Sequence, residues 1–412
     1  MATIASIPAL ASTTVTDVIP PRNFRASWTP ANAHLQDTCL KKITRFFFWV
    51  INHYAKPLIL NSLTKSAEEV AMVGNAFNNR WTQDSASSQF LQSRYTREPI
   101  EVTTPDGAKI RGTYFKNTSL PENARTVLCF QPNATISKSG CFDWLLKRSA
   151  LYKLDSNFVI FDYRGTGESE SSPNSGDDLI LDGDSMYQFV SQELGVHPKF
   201  IHFYGWSLGG AVGAEVKALH SEATGNYVGE RTLASIHHFT HILGGCVGSI
   251  VGAVARALIS LLHWNLDGES AVRKMNGRTL VVHHPEDPVM SDGRGLYHAL
   301  FQTGTLPPPP AHVVRSIDLS QGRKPHDVNQ HCTPMENFET GTFHPKEDIL
   351  QFLFNSNIPY AQVTRDQLLE RYPPLLEEEI LRVTKRLHVL TTPTPTQRMT
   401  IVHIAIEDHY IE

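Results

Sequence analysis

The sequence predicts an α/β protein built on a largely parallel, doubly wound sheet. Three observations carry that expectation. An apolar run from Phe200 to Tyr204 meets Gly205-Trp206-Ser207-Leu208-Gly209, and a small-residue helical stretch, Gly210 to Val216, follows it. Beyond residue 97, short apolar runs of strand character alternate with helical segments, the pattern of strands joined by crossover helices. A hairpin signal opens this region, with Pro105-Asp106-Gly107 between Pro99–Thr103 and Lys109–Phe115.

The remaining elements follow in order. Thr126 to Phe130 reads as a buried strand, Gly140 to Leu154 as a helix, and Phe158 to Asp162 as a strand ending in Asp162-Tyr163-Arg164-Gly165-Thr166-Gly167-Glu168-Ser169. Asp177 to Leu194 is helical and leads to the strand at Phe200. Tyr227 to Thr232, Thr279 to His283 and Val313 to Leu319 are the later strands, and His344 to Phe354 is an amphipathic closing helix. The apolar, Gly-rich stretch Ile242 to Leu262 lies between two core strands and contains Arg256. It is expected to be a lid helix, with a membrane span as the alternative. The expected organisation is a mobile tail over 1–42, a helical segment over 43–96, a catalytic-type domain over 97–357 with a cap at about 236–268, and a helical extension and tail over 358–412.

Composition narrows the class. The 412 residues are 41% hydrophobic and 19% charged, an ordinary globular balance, and a formal net charge of -4 leaves no electrostatic footprint for nucleic acid. Five scattered cysteines suit reduced thiols rather than a disulfide framework. No Lys or Arg precedes Arg22, so a basic n-region is missing, which implies a cytoplasmic location or export by a dedicated secretion machine. The aromatic stretch Ile43 to Leu60 is expected to pack on the domain, with peripheral membrane contact as its alternative reading.

Strand, Gly-x-Ser-x-Gly and helix in that order is the context of a nucleophile elbow. Ser207 is the candidate nucleophile: a sharp, strained turn lifts its hydroxyl off the sheet, and glycines at 205 and 209 leave room where a Cβ would collide. A serine nucleophile needs a base, a group that orients the base, and donors for the oxyanion. The acid is expected just past the Thr279–His283 strand, at Asp287, with Glu286 as its neighbour and alternative. Two histidines beyond the last strand, His331 and His326, are candidates for the base. His331 is preferred because Cys-Thr-Pro-Met and then the closing helix follow it; His344 is the third and least favoured. One oxyanion donor is the Leu208 N–H. The other belongs to Gln131-Pro132-Asn133-Ala134-Thr135, where Pro132 has no N–H and Asn133 or Ala134 takes the role. The 19 histidines, including His283-His284, show no metal-ligand spacing, and no cofactor motif is present.

The elbow, the Asp162–Ser169 turn, Glu230-Arg231-Thr232 and Glu286-Asp287-Pro288-Val289 together resemble the α/β-hydrolase superfamily. Pro132-Asn133, Arg231-Thr232 and Trp264-Asn265-Leu266-Asp267 resemble, within it, a lipase-like group of intracellular bacteria such as chlamydiae and Legionella. The resemblance covers roughly 97–357. It implies an α/β-hydrolase fold with a helical cap and terminal extensions, and an Asp-x-Arg-Gly-x-Gly turn that shapes the fold without taking part in the chemistry. Two departures stand out: the oxyanion loop reads Gln-Pro-Asn-Ala rather than His-Gly, and no Gly precedes either base candidate. The expected function is cleavage of a small-molecule or lipid-type ester or thioester through an acyl-enzyme on Ser207. The alternative is a catalytically silent scaffold that binds a host protein or a membrane. Oligomeric state is not legible.

Overall fold

The computed structural model describes residues 20–36, 86–133, 135–237, 257, 260–261, 263–290, 294–302, 314–322, 330–340 and 342–355. Among them a sheet of nine strands runs β1 (Arg22–Arg25), β2 (Tyr95–Thr103), β3 (Lys109–Asn117), β4 (Thr126–Phe130), β5 (Asn157–Phe161), β6 (Ile201–Trp206), β7 (Tyr227–Glu230), β8 (Thr279–His283) and β9 (Val314–Asp318). Their spatial order is β1-β2-β3-β5-β4-β6-β7-β8-β9. The β2–β3 hairpin and the β3–β5 pair are antiparallel; every other pairing is parallel.

The central strands read as continuous apolar runs because both faces are covered. Leu128 and Phe130 of β4, Val159 and Phe161 of β5 and Val281 of β8 point into one core. Val127, Cys129, Phe158, Ile160, Leu280 and Val282, at the intervening positions, point into the other. Leu91 of α1 (Ala86–Arg94), Leu145 and Leu146 of α2 (Asp143–Leu151), and Ile349, Leu350 and Leu353 of α7 (Pro345–Phe354) cover the second core. Covering the first are residues of α3 (Gly176–Gln188), α4 (Leu208–Leu219), α5 (Gly268–Lys274) and α6 (Leu296–Phe301). The short helices α5 and α6 have only seven and six residues, too few for a helical period to stand out in the sequence.

One expectation is corrected. Residues 20–36, read as part of a mobile tail, belong to the domain: Arg22–Arg25 pairs in parallel with Ile100–Thr103, and Ala26 and Leu35 are buried in the first core. The segment is fastened by polar contacts that no hydrophobic pattern announces. Asn32 Nδ2 donates to Asp184 Oδ2 at 2.7 Å, Gln188 Nε2 donates to the same oxygen at 2.8 Å, and His220 Nε2 faces Oδ1 at 2.6 Å. Ser27 exchanges two backbone bonds with the Gln188 amide. The sheet therefore begins before residue 97.

The aromatic stretch 43–60, the rest of the expected helical segment up to residue 85, the extension over 358–412 and most of the expected cap lie outside the described residues. The described residues on either side of that part of the cap meet, where Ser235 bridges Asp267 and Ile236 N–H donates to Leu266 O at 3.1 Å. Among the described residues no helix is long and apolar enough to cross a membrane.

Asp184 is fully buried, so its truncation would strand the Asn32 and Gln188 amides away from water. Asp184→Ala should lower the unfolding free energy by about 3 kcal/mol and open the chain near residue 30 to proteolysis, measured by urea denaturation and limited digestion.

Candidate functional site

The corner between β6 and α4 is shaped by a close approach. A Cβ at Gly205 would stand 2.5 Å from Gly209 O, and one at Gly209 would strike the carbonyl oxygens of Phe130 and Gln131. Real Cβ atoms do not come so near backbone, so both positions need glycine. Between them Ser207 takes φ 55° and ψ -120°, a region that costs a non-glycine residue of order 1–3 kcal/mol. The Ser207 N–H is fixed on Glu230 O at 2.8 Å.

Ser207 occupies the N-cap position of α4, yet its side chain makes no capping bond. A serine there ordinarily accepts from the first turn of its helix. Its hydroxyl is instead 2.8 Å from Nε2 of His331, whose Nδ1 is 2.9 Å from Asp287 Oδ2. With the carboxylate facing it, Nδ1 carries the proton and Nε2 is left to accept from the serine hydroxyl. Ser207, His331 and Asp287 are thus contiguous and all buried.

Asp287 is 0% exposed. Its second oxygen accepts from the backbone of Val289 at 2.8 Å and of Met290 at 3.0 Å. Burial alone would raise its carboxyl, but the hydrogen bond from His331 and its electrostatic attraction, with those two N–H donors, hold it below the ordinary value. Glu286 next to it is exposed, so the two adjacent acids are separated by which one the turn buries. His344 sits at the N-cap of α7. His326 and Ala134 lie outside the described residues.

The open N-terminus of α4 presents the Leu208 N–H beside the serine, where the helix dipole favours negative charge. The loop after β4 leaves the sheet next to it, since Phe130 pairs with Gly205. Asn133 in that loop is half-buried. Two tethers shape the loop. Gln131 Oε1 accepts from Cys141 Sγ at 2.9 Å and from Thr135 Oγ1 at 3.1 Å. Burial pushes the Cys141 thiol up to about 12, so it stays a neutral donor. The other tether is Asp162, which accepts from the Ser137 N–H and, at 2.9 Å, from its hydroxyl. Sequence reading assigned the turn at Asp162 to fold shape alone. Its link to the oxyanion loop has no local signal, because the contact spans 25 positions.

Among the described residues no three His, Cys, Asp or Glu side chains gather as a metal site would require. The adjacent His283 and His284 part ways: His283 stacks on Tyr297 with ring centroids 3.5 Å apart, while His284 Nδ1 accepts from Glu286 N–H at 3.1 Å.

Residues 129–301, from β4 to α6, match the family described as Chlamydia CHLPS protein (DUF818). The α/β-hydrolase domain-containing protein WAV2 of Arabidopsis thaliana is 31% identical over 142 residues, 34% of this chain and 44% of that protein. Strand order, elbow and this likeness agree. The chain has the α/β-hydrolase fold. YfhR of Salmonella typhi is 34% identical over 117 residues, 27% of this chain and 38% of that one. The chain therefore matches about two-fifths of the length of the curated relatives it resembles. Among solved structures, the esterase Pf2001 of Pyrococcus furiosus is 15% identical with a TM-score of 0.43, covering 64% of this chain and 93% of that one. An α/β hydrolase of Vibrio vulnificus gives 16% and 0.43, covering 73% and 90%.

Burial raises the Asp162 carboxyl from 3.8 to about 6, more than the Ser137 donors lower it. A carboxyl whose folded pKa lies above its unfolded value stabilises the fold below the unfolded value, and that contribution is lost as pH rises through the folded one. Asp162→Asn, which cannot ionise, should therefore remove a slope of up to about 1.4 kcal/mol per pH unit between roughly pH 4 and 6. Urea unfolding of both proteins from pH 4 to 7 measures the difference.

Proposed function

We propose that the protein is a serine hydrolase that cleaves carboxylic esters or thioesters through an acyl-enzyme. The observation that carries this reading is the unbroken relay Ser207 Oγ, His331 Nε2, His331 Nδ1, Asp287 Oδ2, with links of 2.8 and 2.9 Å at a strained elbow.

In this reading the Ser207 oxygen attacks the carbonyl carbon of the substrate while its proton passes to His331 Nε2. The imidazolium so formed is stabilised by the buried carboxylate of Asp287, which keeps its own charge. Negative charge gathers on the former carbonyl oxygen, where the Leu208 N–H and a donor from the 131–135 loop, Asn133 or Ala134, stabilise it. Collapse of the tetrahedral intermediate breaks the bond to the alkoxide or thiolate, which takes the proton from Nε2. Water then attacks the acyl-enzyme, its proton going to the same nitrogen, and the acid product leaves with Ser207 restored.

The apolar stretch Ile242–Leu262 favours a substrate with an acyl chain. Peripheral membrane contact through 43–60 is compatible with such a substrate.

A fluorophosphonate probe should label the wild type and leave Ser207→Ala unlabelled. Asp287→Asn should keep the fold and lose about 10⁴-fold in kcat on p-nitrophenyl esters, because the imidazole loses its orienting acceptor. Activity that rises with acyl length from acetate to octanoate supports the lipid-type pocket. Labelling that survives in Ser207→Ala would remove the serine from its role, and a wild type that neither labels nor hydrolyses would favour a binding scaffold.

A further inference from the structure

One dipeptide outside the relay touches both the Ser207 backbone and the loop that carries His331. The Glu230 carbonyl accepts from the Ser207 N–H. The guanidinium of Arg231 donates from Nη1 to Gln330 O at 2.7 Å and to Thr333 O at 2.5 Å, the two carbonyls that bracket His331 in the chain. We infer that Arg231 is the positioning residue for the base, holding the 330–333 loop so that the His331 ring meets Ser207 and Asp287 together. The inference rests on the hydrolase reading above.

The guanidinium is itself immobilised on every side. Its Nε donates to Glu230 Oε1 at 3.1 Å, Nη2 pairs with the same oxygen, and the other Glu230 oxygen accepts from the Tyr204 hydroxyl. Its carbon lies 5.0 Å from the centre of the Trp206 ring, the residue before the nucleophile, and 5.8 Å from that of Phe338 beyond the base. Arg231 is 2% exposed and Glu230 3%. A buried pair of this kind is weak evidence of added stability, since desolvation offsets its attraction.

The backbone gives a second, independent indication. Arg231 has φ 43°, one of the few non-glycine residues with positive φ among those described, as is Ser207. Its N–H donates to Val282 O at 2.7 Å. Strain at a non-glycine residue persists where the surroundings over-determine it, and such residues cluster at functional sites. Here the unusual turn sends the side chain from the end of β7 back across the sheet edge to the base loop. A planar fork that donates several hydrogen bonds at once suits the task as a lysine ammonium does not.

The test uses the full chain and two variants. The double variant Glu230→Gln/Arg231→Met removes the clamp without leaving a buried charge. Arg231→Lys keeps the charge and loses the fork. With folding verified by circular dichroism and urea midpoint, the double variant should lose about 10²-fold in kcat at nearly constant KM, and Arg231→Lys about 10-fold. The low-field proton resonance of the His331 Nδ1–H, identified by its absence in His331→Gln, should broaden or vanish in both. Should the double variant not fold, Arg231→Lys decides the matter by the same readings. A folded variant that keeps the resonance and the wild-type kcat overturns the inference. Failure of the hydrolase reading would show separately, as a wild type without labelling or turnover, and the resonance then judges the clamp alone.

Discussion

The site depends on a contact between two pieces of backbone. The corner after β6 presses Gly209 against the carbonyls of Phe130 and Gln131, and Gly205 against the start of α4. That approach puts the candidate nucleophile and the candidate oxyanion loop into one packed unit instead of two loops that must find each other. The strain at Ser207 is the local consequence, and it is offset by neighbours, among them the bond from its N–H to Glu230 O. Because the serine side chain turns toward His331, it caps none of the first-turn N–H groups of α4.

The same sheet edge carries carboxyls with opposite tendencies. Asp287 is held below its ordinary value by the His331 ring and two backbone donors, while Asp162, with three hydrogen bonds of its own but no imidazole facing it and Glu168 nearby, is pushed by burial up to about 6. Environments that drive like groups apart in this way divide labour between them. Asp287 suits stabilisation of a transient imidazolium; Asp162 suits tethering of the Ser137 end of the oxyanion loop.

Much of this was legible in the residues, for physical reasons that differ by element. The strands Thr126–Phe130 and Thr279–His283 have the bounds their apolar runs imply, since strands enclosed on both faces must be apolar throughout. The elbow is local: five residues and their flanks contain all the geometry it needs. Asp287 is nearly so, because its turn follows a recognisable strand. Arg22–Arg25 escaped notice because only Phe24 is apolar in it, and its place is set by Ile100–Thr103 and by Asn32 on Asp184, partners far along the chain. The preference for His331 over its neighbour at 326 rested on chain context. The contact that sets His331 apart reaches across 124 positions to Ser207, a distance over which no spacing rule operates.

Glu230 is buried and one strand from the candidate nucleophile, yet it is Asp287 that faces His331 Nδ1. Ser207 follows β6 and Asp287 follows β8, with β7 between them. The intervening strand end carries Glu230, whose oxygens are taken by the Arg231 guanidinium and the Tyr204 hydroxyl. Its Glu-Arg dipeptide bonds to the Ser207 backbone on one side and to the loop that carries His331 on the other.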